Sequence, residues 1–138
     1  MTKPKLLIIS KQKSVFKLYE LLLNKYFNTV KNLFIEAYDF IEEIDYNKYD
    51  LILIDLNGKK YLSSLNELSK KNLKNLKIIL ITPYDLNYIY LVLENTQFFN
   101  LILSKPVDIS KLQNFVKTES ERIERKNILQ KKNDILAK

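Results

Sequence analysis

Five short apolar runs, set apart by stretches that can coil, constrain the fold of this chain more than any other feature. They are KLLIIS at 5–10, LFIEAY at 33–38, DLILID at 50–55, LKIILIT at 76–82 and NLILS at 100–104. Unbroken apolar runs of this length read as strands covered on both faces, as in a parallel sheet. After the first run, SVFKLYELLLNKYF places Val15, Leu18, Leu22 and Tyr26 at helical spacing behind Ser14, the expected N-cap. Asp39 with Glu42, and Ser64 with Glu67, have capping-box spacing and are expected to open the second and third helices. The alternation predicts an α/β domain of (βα)5 type: a doubly wound parallel sheet with right-handed crossovers and helices on both faces.

In such folds ligand sites gather where the strands end, near the switch in strand order. The residues at those ends are Ser10 and Lys11 after the first run, Asp55 and Asn57 with the third, Thr82 after the fourth, and Lys105 and Pro106 after the fifth. Asp55 stands out, because a carboxylate ending a buried apolar strand is costly unless something pairs with it. Each residue alone has a plain structural explanation, as a turn former, a strand end or an exposed side chain. A carboxylate, a hydroxyl and an ammonium on three successive strands point to a site.

Composition removes several chemistries. The chain has 138 residues, suited to one domain, with no cysteine and no histidine. It therefore has no disulfide framework, thiolate or imidazole metal site, histidine triad or phosphohistidine. No window approaches the roughly 18 consecutive apolar residues of a membrane span, and a cytoplasmic protein with no membrane partner is expected. The net charge of +7 divides unevenly: residues 1–110 hold 15 basic and 12 acidic side chains, and residues 111–138 hold 8 and 4. In the tail the signs alternate, as in ESERIERK, which reads as a solvated helix face more readily than as a phosphate-binding patch. Nucleic acid is not expected as a partner of this domain; such binding would fall steeply with salt.

The motifs YDLILIDLN, ILITP and LILSKP together resemble the receiver domains of two-component response regulators, the CheY-like family, over roughly residues 3–120. The resemblance implies a flavodoxin-like topology with strand order 2-1-3-4-5. It implies Asp55 as the phospho-acceptor of a histidine kinase, Thr82 and Lys105 as the groups that stabilise the phosphoryl group, and a cis peptide before Pro106. It also implies that the backbone carbonyl of Asn57 helps hold Mg²⁺. Such a site would work by charge: a carboxylate oxygen attacks in line while cations offset the phosphoryl oxygens.

The chain also departs from that family. Where the family has two acidic residues after the first strand, this sequence has Ser10 and Lys11, so the Mg²⁺ site is expected to be weak or absent and no cofactor is expected. Lys11 could pair with Asp55 instead and replace part of the metal's charge, or it could point to solvent and leave Asp55 open. Ile102 stands three residues before Lys105, where the family has an aromatic switch residue, and NGKKYL replaces the usual loop after the third strand. These changes resemble the atypical or pseudo-receivers. The expected role is then a non-enzymatic protein-interaction and dimerisation module with a degenerate site. The alternative is a working receiver phosphorylated on Asp55 in the presence of Mg²⁺.

Its expected partners are a histidine kinase or another signalling protein, and a second copy of the chain. YDLNYIYLVLENTQFF carries more apolar residues than one buried stripe needs, so Tyr88 and Tyr90, with Ile102 nearby, are interface candidates, against the plainer reading of a broad buried face. Ile109, Leu112, Val116 and Ile123 continue as a helix that Asp108 could cap, and Ile128/Ile135 and Leu129/Leu136 repeat at seven. This divides the chain into a receiver-like domain at 1–122 and a helical extension or connector at 123–138.

Overall fold

The computed structural model describes residues 3–32, 45–73 and 76–137, with the backbone alone at 29–32. Five parallel strands, β1 (Lys5–Ser10), β2 (Asn28–Asn32), β3 (Leu51–Asp55), β4 (Lys77–Thr82) and β5 (Leu101–Ser104), form one sheet in the order β2-β1-β3-β4-β5. Among the described residues four α-helices accompany them: α1 (Lys13–Leu23), α2 (Lys60–Leu68), α3 (Leu86–Val92) and α4 (Ile109–Leu136).

The period-two alternation of strand side chains divides the apolar residues between two cores. Leu6, Ile8, Leu51, Leu53, Ile79 and Ile81 pack with Phe16, Tyr19 and Leu23 of α1 and with Leu112, Val116 and Ile123 of α4. Leu7, Ile9, Ile52, Ile54, Ile78 and Leu80 pack with Tyr61, Leu65 and Leu68 of α2 and Ile89 of α3. Both faces of the sheet are therefore covered, and this explains the unbroken apolar runs.

Several local expectations are corrected. The described part of the second strand is NTVKN at 28–32, and LFIEAY at 33–38 lies outside the described residues, as does the Asp39/Glu42 pair. On α1 the buried residues are Phe16, Tyr19 and Leu23, whereas Leu18 is half exposed and Val15, Leu22 and Tyr26 pack only partly. Ser14 lies in the first turn of α1 behind Gln12, the N-cap, which makes no side-chain capping bond. Helix α2 begins before Ser64, which is buried in mid-helix, because Tyr61 already anchors its first turn to the core. Asp108 does cap α4: its Oδ1 accepts from the Lys111 amide at 3.2 Å.

Helix α4 runs unbroken for 28 residues, about 42 Å, through the expected boundary after residue 122. Ile123 is its last core residue. Beyond it Ile128, Leu129, Ile135 and Leu136 are all exposed. Ile109, expected in the same buried stripe as Leu112 and Val116, is also exposed. Among the described residues no helix is long and apolar enough to cross a membrane.

Candidate functional site

Asp55 ends β3 beside Ser10, its register partner at the end of β1. Leu51 and Leu53 face the α1/α4 core, and alternation carries Asp55 to that face. Its side chain is almost wholly buried, at 3% exposure. A carboxylate so placed loses hydration worth several kcal/mol and must recover it from partners. Among the described residues it has two. Lys105 Nζ lies 2.9 Å from Oδ1, and the Tyr19 hydroxyl donates to Oδ2 at 2.6 Å. Burial, and then the Asp55 charge, hold the Tyr19 phenol far above the usual tyrosine range.

Lys105 follows β5, its amide donating to the Thr82 carbonyl at 2.9 Å, and the Lys105–Pro106 bond is cis. Thr82 thus positions the lysine through its backbone. Its hydroxyl accepts from the Tyr84 amide at 3.2 Å, and among the described residues no hydrogen bond joins it to Asp55. The structure therefore brings Asp55 and Lys105 together directly and leaves Thr82 as their neighbour.

Lys11 does not pair with Asp55. Among the described residues Lys105 is the only cation bridged to that carboxylate, and Lys11 Nζ instead lies 5.7 Å from the centre of the Tyr61 ring. Strand alternation supplies the reason: Lys11 continues the face of Leu7 and Ile9, which packs against Tyr61, and Ser10 continues the face of Asp55. The Ser10 hydroxyl, buried, accepts from the Gln12 amide at 3.2 Å and so shapes the turn into α1.

Two cavities flank Asp55. One of about 70 Å³ is lined by Ser10, Lys11, Gln12, Val15, Asp55 and Asn57. The other, about 300 Å³, lies against Asp55, Tyr19 and Lys105 under the apolar side chains of Val15, Leu18, Val107 and Ile109. Mg²⁺ requires an octahedral shell of oxygens. Asp55 has both oxygens engaged, the Ser10 hydroxyl is neutral and already accepting, and no group of three Asp, Glu, His or Cys side chains stands together among the described residues. With Asn57 adding at most a carbonyl, this donor set does not fit Mg²⁺.

Of the interface candidates, Ile102 and Tyr88 are half-buried against the α2/α3 core. Tyr88 also packs against Tyr84, ring centres 5.6 Å apart, and beneath Lys59, whose Nζ is 5.8 Å from its ring centre. Tyr90 is exposed, and beside it Leu91 is 84% exposed. Tyr19 was neither among the strand-end residues nor in the helical stripe read from the sequence. The signal that could have found it is the other stripe, Phe16, Tyr19 and Leu23, in which a buried phenol hydroxyl needs a partner.

No protein-family model and no curated relative matches the sequence. Solved structures do match the fold. A Burkholderia pseudomallei protein described as pilus assembly-related superposes with a TM-score of 0.67 at 16% identity, over 86% of this chain and 90% of that one. A CheY-like receiver domain of a Methylobacillus flagellatus response regulator gives 0.61 at 18%, over 86% and 99%. The receiver domain of Francisella response regulator 1452 gives 0.62 at 19%, over 88% and 99%. The structural neighbours of this chain include response regulator receiver domains, and the fold is CheY-like and flavodoxin-like.

Proposed function

We propose that the chain is a receiver-like module of two-component signalling, atypical in its acceptor site, which works by binding other proteins and not by catalysis. The observation that carries this reading is the Asp55–Lys105 ion pair, closed at 2.9 Å where, among the described residues, no group of three Asp, Glu, His or Cys side chains stands together to hold a metal. A receiver of this kind acts through surfaces, in the cytoplasm, on a histidine kinase or another signalling protein and on a second copy of itself. Tyr90 and Leu91 on α3 offer exposed apolar area for the second copy, and the exposed apolar residues at the end of α4 offer more. Sedimentation should give a dimer that Tyr90→Glu weakens; a monomer at every concentration would remove the dimerisation part.

The second reading, a working phospho-acceptor, is favoured by the persistence of Asp55, Thr82 and Lys105 at the ends of β3, β4 and β5. Intact mass after incubation with acetyl phosphate and Mg²⁺ separates the two, with Asp55→Asn as control. The atypical reading expects no mass gain. Gain of one phosphoryl group, lost in the control, would replace it with the working receiver.

A further inference from the structure

Missing metal ligands are not the only obstacle at Asp55. The Tyr19 hydroxyl donates to Oδ2 at 2.6 Å while Lys105 takes Oδ1 at 2.9 Å, so each carboxylate oxygen already has a short, charge-assisted contact. The tyrosine cannot easily leave. Its ring is buried, and Phe16 and Leu23 hold the same face of α1 against the sheet. Swinging the hydroxyl away would move a helix or leave a buried carboxylate oxygen unpaired.

A carboxylate oxygen that attacks phosphorus must point a lone pair along the line of the departing group, and a short donor on the carboxylate withdraws charge from that lone pair and narrows the approach to it. We propose that Tyr19 is a lock on Asp55, a positioning residue whose hydroxyl draws charge from the carboxylate and holds it away from a phosphoryl donor, separately from the loss of the acidic pair at Ser10 and Lys11. The lock turns an acceptor aspartate into a clasp that ties α1, through Tyr19, and the segment after β5, through Lys105, to the end of β3. This inference deepens the atypical-receiver reading and rests on it, but it predicts something that reading does not: restoring the acidic pair alone leaves Asp55 slow.

The test compares four full-length proteins: wild type, Tyr19→Phe, Ser10→Asp/Lys11→Asp, and the triple variant. Each is incubated with acetyl phosphate and Mg²⁺ and followed by intact mass. In the reaction an Asp55 oxygen forms the new O–P bond as the P–O bond to the acetyl group breaks, and acetate leaves with that electron pair. The triple variant should gain one phosphoryl group about tenfold faster than the double, or more, the effect expected for loss of one hydrogen bond to a charged group, and Asp55→Asn should abolish the gain. Equal rates in the double and triple variants, or no gain in either while both melt cooperatively, would overturn the lock. Modification of wild type would instead sink the atypical reading, and a faster Tyr19→Phe would then leave the lock standing as a brake. Should the triple variant fail to fold, urea unfolding of wild type, Tyr19→Phe, Asp55→Asn and the pair together still decides: the two substitutions should cost less together than the sum of their separate costs, and additive costs would remove the Tyr19–Asp55 contact and the proposal with it.

Discussion

Removing the Asp55 carboxylate strips two residues of their partner at once. Asp55→Ala leaves the Lys105 ammonium without its anion and the Tyr19 hydroxyl without its acceptor. Breaking a fully buried pair costs roughly 3–5 kcal/mol, but Lys105 is 30% exposed and can rehydrate, so the expected loss is about 2–4 kcal/mol in urea unfolding. Asp55→Asn keeps an acceptor oxygen for Tyr19 and should lose less, about 1–2 kcal/mol. The same network makes stability sensitive to alkali. Burial first, and the Asp55 charge second, raise Tyr19 above its ordinary value of 10.0, and burial raises Tyr46 as well. The folded chain therefore holds those protons more tightly than the unfolded chain. That contribution is complete below about pH 10 and is lost as pH rises beyond it. Unfolding free energy should fall above pH 10, and Tyr19→Phe should make the fall shallower. That Asp55 needs a partner was legible because a charge ending a buried strand demands one; which lysine would supply it was not. Lys11 and Lys105 are equivalent in a list, and only the alternation of β1 sends Lys11 towards Tyr61.

Elements were legible where burial is two-sided and less so where it is one-sided. β1, β3, β4 and β5 announce themselves as apolar runs, since both faces of the sheet are covered. The described part of the edge strand β2, NTVKN, carries no such run. On α1 the helical period was readable, but its phase was displaced: Leu18 and Leu21 lie outward while Phe16 and Tyr19 lie inward. A stretch apolar on most sides has several candidate stripes of similar quality, and the rotation of the helix is decided by what the sheet offers it. The loop from β3 to α2 gives a sharper prediction. Gly58 adopts φ +111, a conformation side chains rarely enter, and a Cβ there would meet the Tyr61 ring at an ordinary 3.7 Å. The cost of Gly58→Ala is therefore conformational, not steric. It should lower stability by about 1–2 kcal/mol in thermal or urea unfolding without disturbing the packing of Tyr61.

At the scale of the whole molecule, α4 is longer than the core requires. After Ile123 the side chains of α4 are mostly exposed, so a chain stopped after Asn127 should unfold within about 1 kcal/mol of the full-length chain, while its self-association weakens. A large loss of stability would show that the helix end belongs to the core; unchanged association would leave the α3 surface as the contact between copies. At this scale the sequence by itself determined the class of fold and the end of the sheet where a site would lie, because strand period and apolar run length are local properties of the chain. It also named Asp55 and Lys105, which alternation and chain direction bring to that end. Only the tertiary structure decided the rest: that Lys105 closes on the carboxylate, that Thr82 contributes its carbonyl, and that a tyrosine from α1 takes the second oxygen. Those contacts depend on how a helix is rotated against the sheet and on which cation finds the buried charge. Packing settles both across residues far apart in the chain, where no local pattern reaches.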